Sequence, residues 1–180
     1  MIKMIKNISD DYIAGFVDGE GCFALSMRKD VRHERKSKAT YYSWKASFAI
    51  NLRADDAALL KCIQNRLGVG SVTFTKDKTS VRFQVSDLYE LRDVIVPFFE
   101  LHTLYGKKGR DFKLWSEAIK ILLKYKVARG DANVLKGVRG FQKIIWQVKD
   151  VKRLKEIQKI SSEYKSKRIR KWTEAKMGRS

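Results

Sequence analysis

The chain has 180 residues, 44% of them apolar, with a single proline and a net charge of +19 at pH 7 from 39 Lys+Arg against 20 Asp+Glu. That apolar fraction suits one sizeable core and excludes a disordered or collagen-like chain, while no apolar run approaches the roughly 18 residues needed to span a bilayer. The cation excess calls for a polyanionic partner, nucleic acid ahead of an anionic membrane surface.

Ser9 or Asp10 is placed to cap a first helix through Tyr12, Ile13, Phe16 and Val17, with Asp11 in its positive first turn. The first dozen residues lack a signal peptide's apolar region and cleavage site, so the protein is expected to stay where it is made. From Cys22 the period changes to two: Phe23, Leu25 and Met27 face one way, and Ala24, Ser26, Arg28 and Asp30 the other. Alternation resumes after the basic connection KDVRHERKSKAT, with Tyr42, Trp44, Ala46, Phe48 and Ile50 on one face, which predicts a hairpin. Asp55 or Asp56 opens a helix through Leu59, Leu60, Ile63 and Leu67 that Gly68 closes. A second hairpin follows, with Val72 and Phe74 on one strand and Val81, Phe83 and Val85 on the other. Helices are then predicted from about Leu88 to Phe99, from about Phe112 to Tyr125, and from Val138 onward. From Val151 to Ser180 there are 11 Lys+Arg against 3 Glu, a net of +8, which fits either a phosphate-tracking arm or a solvated helix. The order helix, hairpin, helix, hairpin, helix predicts an α+β fold with one mostly antiparallel sheet and C-terminal helices.

Opposite the apolar face, the two hairpins carry Ser26, Arg28, Ser43, Lys45, Thr73, Thr75, Arg82 and Gln84, with cations and no carboxylate. Short hydroxyls mixed with Arg, Lys and Gln are the groups that contact base edges and phosphates, and a twisted ribbon fits a major groove. Asn51, Arg32 in the first connection and Lys76 near the tip of the second extend that inventory. Cys22 and Cys62 form no CxxC, and His33 and His102 have no second ligand at metal spacing, so neither a disulfide framework nor a zinc site is expected.

YIAGFVDGEGCF, residues 12 to 23, is the unusual stretch. Gly15 and Gly19 each cost a helix roughly 1 kcal/mol relative to alanine. Four residues apart, they lie on one helical face and with Ala14 leave a stripe without side chains, where a second helix could come close. A symmetry mate packed there would bring two copies of Glu20 together, a like-charge pair that needs a cation between them, and oxygen ligands of this kind suit magnesium.

IAGFVDGEG, residues 13 to 21, resembles the signature helix of the LAGLIDADG homing endonucleases. FAINLRADDAALLKCIQNRLGVGSV, residues 48 to 72, is similar to that family's second strand and following helix, and VIVPFFELHTLYGKKGRDFKLW, residues 94 to 115, to its PFF...KKxxDF segment. The resemblance covers roughly Tyr12 to Leu123. It implies an αββαββα saddle, with an endonuclease core over 1–125 and a basic helical extension over 126–180 packed on or continuous with it. It implies a homodimer that makes a staggered double-strand break in a long, near-palindromic DNA duplex with Mg2+ or Mn2+. Glu20 and the Gly19 carbonyl would hold the metal, although the motif ends here in GEG and not the commoner GDG. Lys108, or Lys107 if the register slips by one, would neutralise charge on the phosphate with Arg53 close by. Ala14, Gly15, Asp18 and Gly19 would form the dimer interface, with Asp18 mainly structural near the helix end. Several relatives carry a glutamine at the position of Leu52, a role that would pass here to Arg53 or Asn51. Two other readings keep the fold: a DNA-binding regulator that does not cut, and a maturase with intron RNA as partner. The expected location is the compartment holding the target DNA, a microbial cytoplasm or nucleoid, or an organelle.

Overall fold

The structure, a computed structural model, describes residues 8–31, 40–126 and 146–177. Helix α1, Asp10–Glu20, begins at Ser9, whose hydroxyl accepts the Tyr12 N–H at 3.2 Å and satisfies one of the unpaired donors of the first turn. Arg66 reaches Asp10 at 2.5 Å and His102 Nδ1 faces Asp11 Oδ1 at 3.1 Å, so the start of α1 is fixed from two other segments.

Strands β1, Gly21–Val31, and β2, Thr40–Arg53, form the predicted antiparallel hairpin, running in register from Gly21 opposite Ile50 to Val31 opposite Thr40. The basic connection between them, including Arg32 and His33, lies outside the described residues. A 3-10 turn, Ala54–Asp56, leads into α2, Ala57–Leu67, which ends at Gly68 with φ of 71° in the left-handed region that a side chain would strain. Strands β3, Ser71–Phe74, and β4, Ser80–Val85, form the second hairpin, and β4 also pairs with β2. All pairings are antiparallel and the sheet order is β1-β2-β4-β3.

The helix expected from Leu88 to Phe99 is instead three pieces: α3, Leu88–Glu90, a π-helical turn, Leu91–Ile95, and α4, Val96–Leu101. Pro97 accounts for the difference. It offers no N–H to the Asp93 carbonyl and its ring would crowd that carbonyl in an α-helix. Widening the preceding turn, where the Val96 N–H donates to the Leu91 carbonyl five residues back, accommodates it. The next helix, α5, Lys107–Leu123, begins at Lys107 and not at Phe112. Helix α6 is Val148–Met177; the expected start near Val138 falls outside the described residues.

The chain divides into two units, Met1–Lys120 and Ile121–Ser180. In the first, the core face of the sheet carries Phe23, Phe48, Ile50, Phe83 and Val85, all buried. Phe23 packs on Phe48, Phe112 and Trp115 with ring centroids 5.0 to 5.4 Å apart, and Phe99 meets Phe48 at 5.4 Å, so α4 and α5 cover this face. Trp115 Nε1 donates to the Ala24 carbonyl at 3.2 Å and fixes α5 against β1. In the second unit, Asp150 near the start of α6 is buried and accepts the Tyr125 hydroxyl at 2.6 Å, while the Tyr125 and Trp146 rings pack in a tilted pair with centroids 4.2 Å apart. Leu154 and Ile157 are buried, and Lys149, Lys152, Lys155 and Lys159 are exposed.

Candidate active site

The turn from α1 directly into β1 depends on Gly21. A Cβ there would lie 2.5 Å from Val17 Cγ1 and 2.7 Å from the Val17 carbonyl, so any other residue forces the strand away from the helix end. This junction leaves Glu20 exposed at the C-terminus of α1, where the negative end of the helix disfavours a carboxylate. A cation offsets it. The Lys108 ammonium, from the first turn of α5, donates to the Gly21 carbonyl and lies 3.5 Å from the Gly19 carbonyl. Lys108 is half-buried and Lys107 is exposed, so the chain brings Lys108 to the junction.

Asp18 tightens the same corner. Its Oδ2 accepts the N–H groups of Tyr105 at 2.9 Å and Gly106 at 2.7 Å, which ties the segment before α5 to the end of α1. A Cβ on Gly106 would meet the Asp18 carboxylate at 2.9 Å, and one on Gly109 would meet the Leu104 carbonyl at 2.5 Å. Sequence reasoning passed over both glycines; their spacing in YGKKG was the available signal. Gly15 and Gly19 behave differently: both are exposed, and a Cβ on either would meet nothing within 4 Å. Ala14, expected on the same open stripe, is 4% exposed and belongs to the chain's own core, because it faces the sheet side of α1 along with Ile13 and Val17.

The donor set at the junction fits a hard divalent cation. An exposed carboxylate, Glu20, stands next to a backbone carbonyl, Gly19, that already draws an ammonium. Among the described residues no group of three or more His, Cys, Asp or Glu could hold a metal. Neither Cys22 nor Cys62 is joined in a disulfide.

Next to this corner lies the open face of the sheet. Register sets Ser26 opposite Lys45 and Arg28 opposite Ser43, and places Asn51, Arg82 and Thr73 in one row across β2, β4 and β3. Glu20 and Asn51 are each one residue beyond the last β1–β2 pair, Gly21 with Ile50, so that row points at the end of α1. Strand alternation puts Leu52 on the core parity with Ile50 and both Asn51 and Arg53 on the open one, which is why leucine is compatible at that position. Arg53 is 83% exposed and pairs with Asp55 at 3.1 Å. Arg82 carries a buried Nε with no hydrogen-bond partner, and Gln84 donates to the Ser86 hydroxyl.

Thr75 is committed elsewhere. Its hydroxyl donates to Asp77 at 2.6 Å and accepts the Ser80 N–H at 3.1 Å, closing the β3–β4 tip and leaving Lys76 exposed there. The hydroxyls of Thr75 and Thr79, donating to Asp77, hold its carboxyl below the ordinary carboxylate range.

This corner, a carboxylate-bearing helix end beside an open basic sheet, defines a class: the LAGLIDADG endonuclease family model matches residues 13–119, more than half of the chain, and the chain belongs to that family. It is 31% identical over 120 residues to "Probable intron-encoded endonuclease 2" of Neurospora crassa, covering 66% of this chain and 25% of that protein. It is 32% identical over 117 residues to "Uncharacterized 50.9 kDa protein in ND4 intron 1" of Podospora anserina, covering 64% and 24%. Among solved structures, the I-LtrWI LAGLIDADG homing endonuclease bound to target DNA matches with a TM-score of 0.65 at 20% identity, covering 86% of this chain and 44% of that one. I-GzeII in complex with its DNA target matches with a TM-score of 0.64 at 22% identity, covering 88% and 45%. The likeness to these structures shows the fold, and the chain spans about a quarter of the curated relatives' length, from the 25% and 24% covered.

Proposed function

We propose that this chain is a homing endonuclease that acts as a homodimer and makes a divalent-metal-dependent staggered double-strand break in a long, near-palindromic duplex. The observation that carries the reading is the Lys108 ammonium reaching the carbonyls of Gly19 and Gly21, the residues on either side of the exposed Glu20, beside an open sheet face with Arg28, Lys45, Arg53 and Arg82. A DNA-binding regulator gains nothing from a carboxylate held beside phosphates. One solved neighbour, I-SmaMI, is bound to uncleaved DNA target in the presence of calcium ions, which supports a divalent ion here.

In this reading the open face binds the duplex through Ser26, Arg28, Ser43, Lys45, Asn51, Thr73, Arg82 and Gln84, with Lys76 at the tip on the backbone. Two copies pack through the bare Gly15 and Gly19 face and bring their Glu20 carboxylates together. Glu20 and the Gly19 carbonyl hold Mg2+ or Mn2+, which when bound supplies Lewis-acid stabilisation and a more acidic water. Lys108 neutralises charge developing on the phosphate and Arg53 assists from the end of β2. Asp18 holds the segment that carries Lys108. The exposed lysines of α6 give the basic extension a face for phosphates.

Among the described residues no helix is long and apolar enough to cross a membrane, and the working location is the compartment that holds the target DNA. The deciding experiment is cleavage of a randomised duplex library with magnesium and then with calcium, with sequencing of the ends. Discrete staggered cuts in one near-palindromic site with magnesium, lost in Glu20→Gln, are expected. Tight binding without cutting in either ion overturns the nuclease reading, and preferential competition by structured RNA moves it to a maturase.

A further inference from the structure

The Gly19 carbonyl is claimed twice: the Lys108 ammonium lies 3.5 Å from it, and it is the backbone ligand assigned to the metal beside Glu20. The last carbonyls of a helix lack internal partners and carry its negative end, so they attract a cation. The ammonium donates to the Gly21 carbonyl in the same turn, so a single positive charge caps α1 where Glu20 adds a negative one. Lys108 sits in the first turn of α5, which carries no acidic residue and whose positive end repels a cation. The Gly19 and Gly21 carbonyls at the α1 terminus draw the charge there.

Two cations do not share one carbonyl without strong repulsion. We propose that Lys108 is a resident counter-cation of the α1 terminus, displaced from the Gly19 carbonyl when the divalent ion arrives and thereby released toward the phosphate. The inference rests on the reading that Glu20 and Gly19 hold the ion. Only the side chain has to move, because the backbone around Lys108 is fixed on both sides. Gly109 lies against the Leu104 carbonyl, where a Cβ would be 2.5 Å away, and Gly106 donates to Asp18 at 2.7 Å. Metal binding and the position of the lysine become one exchange, in which the charge that stabilises the resting junction becomes the charge available for the reaction.

The test is a Mn2+ titration of the full chain without DNA, read from the electron paramagnetic resonance of free Mn2+. Lys108→Met is expected to lower the Kd for Mn2+ by about threefold or more, and Lys108→Arg, which keeps a cation, to stay closer to wild type. An unchanged or higher Kd in Lys108→Met overturns the proposal. Glu20→Gln separates the two levels: if it titrates like wild type, the metal reading itself fails and the exchange fails with it. Should Lys108→Met not fold, the wild-type protein labelled with 15N-lysine answers the same question. The Lys108 ammonium resonance is expected to shift on addition of Ca2+ and to stay in place in Glu20→Gln; no shift in wild type overturns the proposal.

Discussion

Of the three glycines in one short segment, Gly21 is needed for close packing while Gly15 and Gly19 face open space, and only contact geometry separates them. Gly21→Ala places a methyl 2.5 Å from Val17 Cγ1 and is expected to cost about 1–3 kcal/mol by overpacking, read as a lower Tm. Gly15→Ala meets open space, so the folding stability of the single chain should rise by up to about 1 kcal/mol from helix propensity. If the Gly15 face is a contact between two copies, the same change weakens the dimer in sedimentation while raising the monomer's Tm, an opposition that a purely structural glycine does not produce. Asp18→Ala removes the two hydrogen bonds that the carboxylate accepts from the Tyr105 and Gly106 N–H groups and should cost about 1–3 kcal/mol, with the loss of activity tracking the displaced Lys108 segment. The sequence spacing identified the glycine stripe but could not show that Ala14 points inward, because that depends on which side of α1 meets the sheet.

Elements were legible where a period ran undisturbed. The alternation of Phe23, Leu25 and Met27 against Ser26 and Arg28 gave β1, and Gly68 gave the end of α2, because each signal is local. The π turn at Leu91–Ile95 was hidden: apolar spacing continues through it, and only Pro97 marks the point where an α-helix cannot continue undistorted. The anchor of α6, the pairing of Asp150 with Tyr125, was hidden as well, because the two residues are distant in sequence. That pairing makes a pH prediction. The Tyr125 hydroxyl first, then Lys124, hold the Asp150 carboxyl below its ordinary 3.8. A depressed folded value means the contribution is fully present above that ordinary value and is lost as pH falls through the lowered one. Helical circular dichroism of α6 should therefore hold steady down to about pH 4 and weaken below it. Tyr125→Phe, which removes the first-named donor, should shift that loss toward higher pH; an unshifted curve would show that Asp150 is held by something else.

At the scale of the whole molecule, both hairpins and their membership of one antiparallel sheet could be read from sequence, yet which strands join them, β2 with β4, could not, because that pairing is non-local and no periodic signal encodes it. It matters because it sets Asn51, Arg82 and Thr73 in one row and makes two hairpins a single charged surface. If that surface carries the duplex, affinity must depend on salt through the phosphates it neutralises, falling as log Kobs against log salt with a slope near −0.9 per contact. In a homodimer each substitution is counted twice, so Lys45→Gln should flatten the slope by about 1.8 where Lys45 meets a phosphate. Lys61→Gln serves as the control: Lys61 is an exposed cation on α2, away from the open sheet face, and removes the same charge from the chain. A slope that changes in Lys45→Gln and not in Lys61→Gln assigns the duplex to the sheet. Equal slopes in both variants would mean that the net charge of +19 draws DNA without a defined face, and the ordered row across β2, β4 and β3 would then have no part in recognition.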